Sequence, residues 1–268
     1  MPPSSIPANV ALIHGWGFNP SVWETLAKPL SQTCNVQCLA LPGYAGETPE
    51  SSTLPVLFDS IGFEETTRQL SRKIPEGALL CGWSLGGMIA IRAAIAFPSR
   101  FSGLVLIATS PCFLRKPGWD CAQPPKLLES FATAVEKNAP ETLSRFNALL
   151  NQGDVHARDA MRSLARAQNP TPKTASLLRG LEWLRETDLR AEIASLEIPI
   201  LLIHGEKDPL IPIEAAWWMQ KHLRNARLEI IPGAAHAPFV EHSATIARWI
   251  DNDTHAFKLS QETHPRVV

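Results

Sequence analysis

This sequence has few cysteines, almost no net charge and no long apolar run. The five cysteines are odd in number and irregularly spaced, which argues for reduced thiols in the cytoplasm and against a disulfide framework; they are Cys34, Cys38, Cys81, Cys112 and Cys121. The net charge of −1 at pH 7 provides no overall field to draw the chain to nucleic acid. No apolar run approaches a membrane span, and the first residues lack the basic and apolar regions of a signal peptide. We therefore expect a cytoplasmic protein with no nucleic-acid or membrane partner.

The sequence also lacks the patterns that hold metals and nucleotides. No His, Cys or Glu cluster has the spacing of metal ligands, and no glycine-rich loop matches a phosphate-binding motif. We therefore expect neither a metal nor a cofactor. The chain does have enough apolar residues, 45% of 268, to form one large domain with an insertion.

Short apolar runs alternate with amphipathic stretches along the chain, as is typical of an α/β protein. The alternation predicts a mostly parallel, doubly wound sheet that is covered by helices on both faces. The strand-like runs are 10–13, 35–39, 78–82, 103–108, 198–203 and 227–231, and the helix-like stretches are 20–30, 63–74, 86–97, 214–223 and 242–251.

One interval, residues 113–187, breaks this alternation. It has no convincing strand, and six prolines separate its short amphipathic stretches. A helical lid inserted between two core strands explains the interval best. We therefore predict a core made of residues 1–112 and 188–254, a lid made of residues 113–187, and a flexible polar tail made of residues 255–268.

The most informative motif is Gly82-Trp83-Ser84-Leu85-Gly86, which lies between an apolar run and a helix-like stretch. It has the pattern of a nucleophile elbow, a strand-to-helix turn that holds a serine hydroxyl out of regular structure. The two glycines leave room for such a tight turn. The helix that follows directs free backbone N–H groups at the turn, where negative charge develops on an attacked carbonyl oxygen. Ser84 is thus the predicted nucleophile, and the Leu85 N–H is one predicted oxyanion donor.

Three further segments supply the partners that such a serine needs. A buried-strand pattern ends in His14-Gly15-Trp16-Gly17, a turn of the kind that gives a second oxyanion donor, here the Trp16 N–H. Two later strand-like runs end shortly before Asp208 and His236, the predicted acid and base. The chain order Ser84, Asp208, His236 is that of the α/β-hydrolase fold and differs from the order in other serine hydrolases. The sequence therefore predicts a serine hydrolase that forms an acyl-enzyme.

Other titratable residues near these segments have simpler explanations. His14 directly follows a strand, and we expect it to shape the oxyanion turn. His204 ends a buried strand, and we expect it to be a packed, hydrogen-bonded core residue. Glu206 competes with Asp208 as the acid, but the Asp-Pro pair that follows the turn fits that role better.

The predicted lid carries an excess of basic charge. Residues 114–187 contain eleven Lys and Arg against eight Asp and Glu, a balance of +3, which leaves −4 for the rest of the chain. Arg158, Arg162 and Arg166 recur every fourth residue and so share one helical face, and Arg145 lies on the preceding helix. Such a face is either simply solvated or a docking surface that steers an acidic partner. Charge alone leaves both interpretations open.

Six segments together carry a more specific resemblance. Over about residues 8 to 250, the chain resembles the pimeloyl-acyl-carrier-protein methyl ester esterases of biotin synthesis. Members of that family cleave the methyl ester of a pimeloyl chain held on an acidic acyl carrier protein, and they release methanol. The resemblance implies the same activity and the same partner here, and we expect a monomer. The segments are His14–Gly17, Leu41–Tyr44, Gly82–Gly87, Ser110–Phe113, Thr187–Arg190 and Ala234–Phe239.

The resemblance also implies roles for individual residues. It implies that Arg145, Arg158 and Arg162 contact the carrier protein. It implies an acyl site lined by Trp16, Ser84, Leu85, Phe146, Asn147, Ala148, Leu149, Leu150 and His236. Phe146 and Leu150 have helical spacing, which suits an aliphatic chain, although packing within the lid would explain the pair equally well.

The chain departs from the family at two places. Glu141 stands where the family has another arginine, which weakens the predicted carrier contact at that position. Only about nine residues precede the first strand-like run, where family members open with a hairpin, so we expect a shorter sheet at that edge.

Two other functions are compatible with the same triad. A general short-chain carboxylesterase or lactonase would differ only in its pocket, and the arginine face is the feature that distinguishes it. A ligand-binding receptor or an inactive scaffold could use the same fold, but the intact triad and oxyanion turn argue against both.

Overall fold

Six parallel strands form one sheet in the computed structural model, which describes residues 7–44 and 61–263. Each strand overlaps a predicted strand-like run, so the prediction of an α/β fold with a mostly parallel sheet is confirmed. The strands are β1 (Ala8–Ile13), β2 (Cys34–Leu39), β3 (Ala78–Trp83), β4 (Phe101–Ile107), β5 (Ile200–Gly205) and β6 (Ala226–Ile231). Their order across the sheet is β2-β1-β3-β4-β5-β6.

The central strands are buried from end to end because helices cover both faces of the sheet. Every residue of β3 and β4 is buried. A strand buried on both faces needs a continuous apolar run and shows no alternation. The described helices are α1 (Glu24–Leu30), α2 (Phe63–Lys73), α3 (Leu85–Ala96), α4 (Pro125–Leu150), α5 (Ala157–Arg166), α6 (Thr174–Glu186), α7 (Ile213–His222) and α8 (Ser243–Thr263).

The chain reverses its winding direction between β1 and β3. From β1 it crosses to β2 on one side, and from β3 it crosses to β4 on the other side. Because crossover connections are right-handed, α1 and α3 lie on opposite faces of the sheet. A crevice therefore opens outside the carboxyl ends of β1 and β3. Since all six strands are parallel, the residues that follow β5 and β6 reach the same edge.

Helices α4 to α6 lie between β4 and β5 in the chain, and we propose that they form the lid predicted for residues 113–187. Helix α4 is longer than the short helices that the sequence predicts, but it bends at Asn138 (φ −160°, ψ 89°). The Asn138 side chain accepts a hydrogen bond from the Glu141 N–H at 3.2 Å and so caps the second segment. Pro140 lies in the first turn of that segment, where its missing N–H costs no helical hydrogen bond.

The two ends of this insertion meet at the core. Cys112 and Asp188 pair as an antiparallel bridge, and the Leu189 N–H donates to the Pro111 carbonyl at 2.9 Å. The insertion therefore begins and ends at one place beside the sheet, which is the arrangement a lid requires.

The predicted tail, residues 255–268, is described only as far as Thr263, where it continues α8. Its last five residues lie outside the described part of the chain. Among the described residues, no helix combines the length and the apolar character needed to cross a membrane.

Candidate active site

Ser84 occupies a strained turn between β3 and α3. Its backbone has φ 54° and ψ −120°, a conformation that residues other than glycine rarely adopt. The neighbouring glycines make the turn possible: a Cβ on Gly82 would lie 2.3 Å from the Gly86 carbonyl oxygen, and one on Gly86 would lie 2.2 Å from the Ile13 carbonyl oxygen. The turn therefore tolerates no side chain at either position, as the elbow motif requires.

His236 and Asp208 form a buried pair at the same edge of the sheet. The His236 Nδ1–H donates to Asp208 Oδ2 at 2.8 Å, and both side chains are fully buried. The other ring nitrogen, Nε2, is buried and makes no hydrogen bond to any described residue. Because Nδ1 carries the proton, Nε2 has a free lone pair with which it can accept a proton from a hydroxyl. Trp83, the residue before Ser84, holds the loop through its Nε1–H bond to the His236 carbonyl at 2.8 Å.

The Asp208 carboxylate is held in its ionised form. Its Oδ1 accepts hydrogen bonds from the N–H groups of Leu210 and Ile211 at 2.8 and 2.9 Å. Burial by itself raises the pKa of Asp208, but the charge and hydrogen bond of His236, together with His204 and the Ile211 N–H, outweigh that effect and leave the pKa below its ordinary value. An ionised carboxylate fixes the tautomer of His236 and stabilises its cation.

Glu206, the competing acid, lies elsewhere. Its Oε2 accepts a hydrogen bond from the Gly233 N–H at 2.9 Å, and it is exposed to solvent. His204 is buried, and its Nε2–H donates to the Ile211 carbonyl at 2.8 Å; burial lowers its pKa. The structure thus brings His236 to Asp208 and not to Glu206, and it places His204 in the structural role that the sequence predicts.

The predicted oxyanion donors flank the elbow. Leu85 is the first residue of α3, so its N–H is among those that have no partner within the helix. Trp16 follows the turn after β1, and this turn touches the elbow: a Cβ on Gly15 would lie 3.1 Å from the Ser84 Cβ. Among the described residues, no hydrogen bond occupies the Trp16 or Leu85 backbone N–H.

His14 fixes the path of this oxyanion turn. The Leu41 N–H donates to His14 Nε2 at 3.0 Å, so the proton sits on Nδ1, which donates to the Gly15 carbonyl at 2.9 Å. The ring is fully buried. Burial lowers the pKa of His14 to about 4, despite the opposing effect of the Gly15 hydrogen bond. His14 is therefore neutral and structural at physiological pH.

Acidification is expected to destabilise the fold because His14 is buried in its neutral form. The pKa of His14 is about 4 in the folded protein against 6.5 for an ordinary histidine, so the stabilisation is complete above about pH 6.5 and is lost as the pH falls towards 4. This shift corresponds to about 3 kcal/mol of unfolding free energy. Urea unfolding between pH 7 and 4 measures it, and a His14→Gln variant should show a shallower pH dependence.

The exposed His156 provides the matched control for that measurement. A His156→Gln variant removes an exposed imidazole by the same substitution, so it controls for the loss of one histidine from the chain. An unchanged slope in the His14→Gln variant would contradict the assignment.

Aromatic side chains surround the space beside Ser84. The Trp16 ring lies 4.9 Å from Phe146 and 5.8 Å from Phe131, and the Phe131 and Phe146 rings lie 5.6 Å apart. The free space is only about 20 Å³, room for roughly one water molecule. The cavity is lined by Trp16, Ser84, Phe113, Leu127, Leu128, Phe131, Phe146, Leu181, Leu184 and Leu210.

Only part of the stretch 146–150 faces this cavity. Phe146 lines it, whereas Ala148 is exposed and Leu149 is half-buried. Consecutive residues of a helix point in different directions, so the exposed Ala148 lies off the cavity and its assignment to the acyl site stays a prediction.

Two other residues of the stretch, Asn147 and Leu150, connect α4 to its neighbours. The Asn147 Nδ2–H donates to the Met161 carbonyl at 2.8 Å, which ties α4 to α5. Leu150 is fully buried, and its carbonyl accepts a hydrogen bond from the His236 N–H at 3.2 Å. Neither residue lines the cavity beside Ser84.

Sequence reasoning missed several cavity residues on the lid. Phe131 lies four residues after Leu127 and three after Leu128 on α4, and Leu184 lies three residues after Leu181 on α6. This apolar periodicity marks the inward face of each helix, and it is the sequence signal that could have pointed to these cavity residues. It does not distinguish a substrate-facing stripe from ordinary packing.

The three predicted docking arginines are exposed on α4 and α5. Arg145 forms an ion pair with Glu141, and Arg162 pairs with Asp159 at 3.2 Å. Arg158 has no ion-pair partner among the described residues. In each pair the two residues are exposed and lie one helical turn apart, and such pairs contribute only about 0.3–0.5 kcal/mol. All three arginines therefore remain accessible to a partner.

Fold and site together define an α/β hydrolase. A model of the α/β hydrolase family matches residues 10–249. A solved esterase from Exiguobacterium antarcticum superposes with a TM-score of 0.81 at 19% identity, covering 92% of each chain, which supports the fold alone.

Similar sequences narrow the assignment. A relative from Nitrosomonas europaea is 36% identical over 87% of this chain and 90% of its own length, and one from Edwardsiella ictaluri is 38% identical over 87% and 88%. Both are named pimeloyl-[acyl-carrier protein] methyl ester esterase. The chain belongs to this family of esterases within the α/β hydrolases.

Proposed function

We propose that this protein is a serine carboxylesterase that hydrolyses the methyl ester of pimeloyl-acyl carrier protein to pimeloyl-acyl carrier protein and methanol, a step of biotin synthesis. The observation that carries the proposal is the buried His236–Asp208 pair beside the Ser84 elbow, in a chain of this esterase family. The pair supports acyl transfer by a hydroxyl nucleophile, and the family supports the substrate.

In the proposed mechanism, Ser84 Oγ attacks the ester carbonyl carbon while His236 Nε2 takes the hydroxyl proton. Asp208 holds the imidazole in the tautomer that leaves Nε2 free and stabilises the resulting cation. The N–H groups of Trp16 and Leu85 bind the oxyanion, each contributing about 3 kcal/mol to the lowering of the barrier. The intermediate collapses, and methanol leaves with the proton from His236. Water then attacks the acyl-enzyme with His236 as base, which restores Ser84.

The aromatic cavity suits the aliphatic part of a pimeloyl chain. Its lining is almost entirely apolar, and Ser84 is its one hydroxyl-bearing residue. With room for roughly one water molecule, the cavity is too small for a seven-carbon chain. In this proposal the rings of Phe131 and Phe146, both on α4, move apart when the substrate binds. The lid is thus a part of the binding site as well as its cover.

The exposed face formed by Arg145, Arg158 and Arg162 is the proposed docking surface for the acidic carrier protein. Their positive charge would steer its approach, and the weak ion pairs to Glu141 and Asp159 would exchange for contacts with the carrier at little cost. We also propose that the enzyme works as a cytoplasmic monomer.

Charge reversal of this arginine face is expected to separate the carrier-bound substrate from small esters. In an Arg145→Glu, Arg158→Glu, Arg162→Glu triple variant, kcat/KM for methanol release from the pimeloyl-carrier methyl ester should fall about 100-fold, because electrostatic steering and docking are lost. Hydrolysis of p-nitrophenyl butyrate should stay within about twofold, because the triad is unchanged. Higher salt should weaken the wild-type activity on the carrier-bound ester only.

The matched control places the same charge change elsewhere. Arg68, Arg224 and Arg248 are exposed and lie outside the lid, so their triple replacement by Glu should leave both activities near wild type. Equal losses in the two triple variants would show that overall charge, and not the lid face, attracts the carrier.

The alternative is a general short-chain carboxylesterase or lactonase. Wild-type enzyme that cleaves p-nitrophenyl butyrate but not the carrier-bound methyl ester would establish that alternative. Labelling of Ser84 by a fluorophosphonate without turnover of any ester would instead indicate a ligand-binding receptor on this fold.

A further inference from the structure

The loop that carries His236 is fastened to the lid by backbone hydrogen bonds. The His236 N–H donates to the Leu150 carbonyl at 3.2 Å, and the Val155 N–H donates to the Gly233 carbonyl at 3.1 Å. Leu150 ends α4, and Val155 lies in the turn that leads into α5. The predicted base therefore depends on the lid for part of its backbone support.

Asp154 makes the strongest of these connections. Its Oδ2 accepts a hydrogen bond from the Ala235 N–H at 2.7 Å, across 81 positions of sequence. Its Oδ1 accepts a hydrogen bond from the His156 N–H at 2.7 Å within its own turn. Both carboxylate oxygens are thus occupied by backbone donors, and charge-assisted bonds of this length are among the stronger ones in proteins.

The loop that carries His236, here called the catalytic loop, lies between the turn that contains Asp154 and the end of β5. On the core side, a Cβ on Gly205 would lie 2.0 Å from the Ala235 carbonyl oxygen, so core and loop are in direct contact. On the lid side, a Cβ on Gly233 would lie 3.0 Å from Val155 Cγ1. The Ala235 N–H points to the lid, and Asp154 is the residue that satisfies it. Without that acceptor, Ala235, the residue next to His236, would lose its hydrogen bond to the lid.

We propose that Asp154 is a positioning residue for His236, and that through it the α5 helix is mechanically joined to the catalytic base. Asp154 lies four residues before Arg158 in the same turn-and-helix segment, so a carrier protein bound at α5 would also steady the His236 loop. A displacement of about 1 Å in a catalytic group can cost on the order of 100-fold in rate, which makes such a tie effective. The proposal rests on the assignment of His236 as the base.

An Asp154→Asn variant tests the proposal with almost no change in shape. An amide nitrogen cannot accept a hydrogen bond, so the variant can serve the His156 N–H or the Ala235 N–H but not both. With p-nitrophenyl butyrate, kcat per titrated active site should fall on the order of tenfold or more, while KM stays within about twofold. Normalising to titrated sites removes any loss that is due to unfolded protein.

The exposed Asp120 provides the matched control, because Asp120→Asn makes the same chemical change in the inserted region away from the loop. Its kcat per site should equal that of the wild type. Wild-type kcat per site in both Asp154→Asn and Asp154→Ala, which leaves the Ala235 N–H without this acceptor, would overturn the positioning role; if His236→Ala is inactive, the proposed function stands. Full activity in His236→Ala would instead contradict the proposed function itself.

Hydrogen exchange on the wild-type enzyme gives an independent reading that needs no variant. The Ala235 amide should exchange slowly, and saturation with the acyl carrier protein should slow it further. Exchange of Ala235 at the rate of an unstructured peptide would overturn the proposal.

Discussion

Replacing Ser84 with alanine is expected to lower kcat for both the carrier-bound methyl ester and p-nitrophenyl butyrate by about a million-fold. The reason is chemical: without Oγ no acyl-enzyme can form, and His236 has no hydroxyl to activate. The fold should persist, because the change only removes Oγ and leaves intact the flanking glycines that make the tight turn possible. Methanol release and ester cleavage measured per mole of folded protein check the prediction.

Ser130 provides the control for this substitution. It lies exposed on α4, where its hydroxyl donates to the Lys126 carbonyl at 2.8 Å, so Ser130→Ala should keep wild-type activity. A fluorophosphonate should label the wild type and Ser130→Ala but not Ser84→Ala. Substantial esterase activity in Ser84→Ala would mean that another group is the nucleophile.

Replacing Asp208 with asparagine is expected to lower kcat roughly ten-thousand-fold while leaving the fold intact. The amide oxygen can still accept the Leu210 and Ile211 N–H bonds, which turns the amide NH₂ towards His236 Nδ1. The ring must then present a lone pair at Nδ1 and carry its proton on Nε2. In that tautomer His236 cannot accept the Ser84 proton. The kcat of p-nitrophenyl butyrate hydrolysis measures the loss.

Glu206→Gln is the matched control for Asp208→Asn, because it neutralises the nearby acid that competes for the same role. Its carboxylate accepts the Gly233 N–H, a bond that the amide oxygen of glutamine can keep. The control should lose no more than a few-fold of activity. A large loss in Glu206→Gln with a mild loss in Asp208→Asn would reverse the assignment of the acid.

The sequence predicts well those features that depend on neighbouring residues. Central strands such as β4 were visible because burial on both faces demands an unbroken apolar run, and their predicted limits agree with the structure to within about two residues. The elbow around Ser84 was visible because its geometry forbids side chains on the two flanking glycines. Local steric rules of this kind leave a signature that can be read without the fold.

Features that depend on how distant segments pack were less visible. Five consecutive residues from Phe146 were assigned to the acyl site through a family resemblance, yet the orientation of α4 turns Ala148 to solvent. Gly180 gave no signal at all, although a Cβ there would lie 2.6 Å from both Trp16 and Tyr44. Its absence of a side chain is what lets α6 approach the oxyanion turn.

By itself, the sequence determined the order of the predicted catalytic residues along the chain. A serine in a glycine-flanked turn comes first, then an acid, then a histidine, and each follows an apolar strand. Only the tertiary structure decided that Asp208 and not Glu206 meets His236, that Phe131 and Phe146 line the cavity beside Ser84, and that Asp154 accepts a hydrogen bond from the Ala235 N–H. The reason is physical. Turn geometry and strand burial are set by residues close in sequence, whereas contacts across 28 or 81 positions depend on packing distances that no local pattern records.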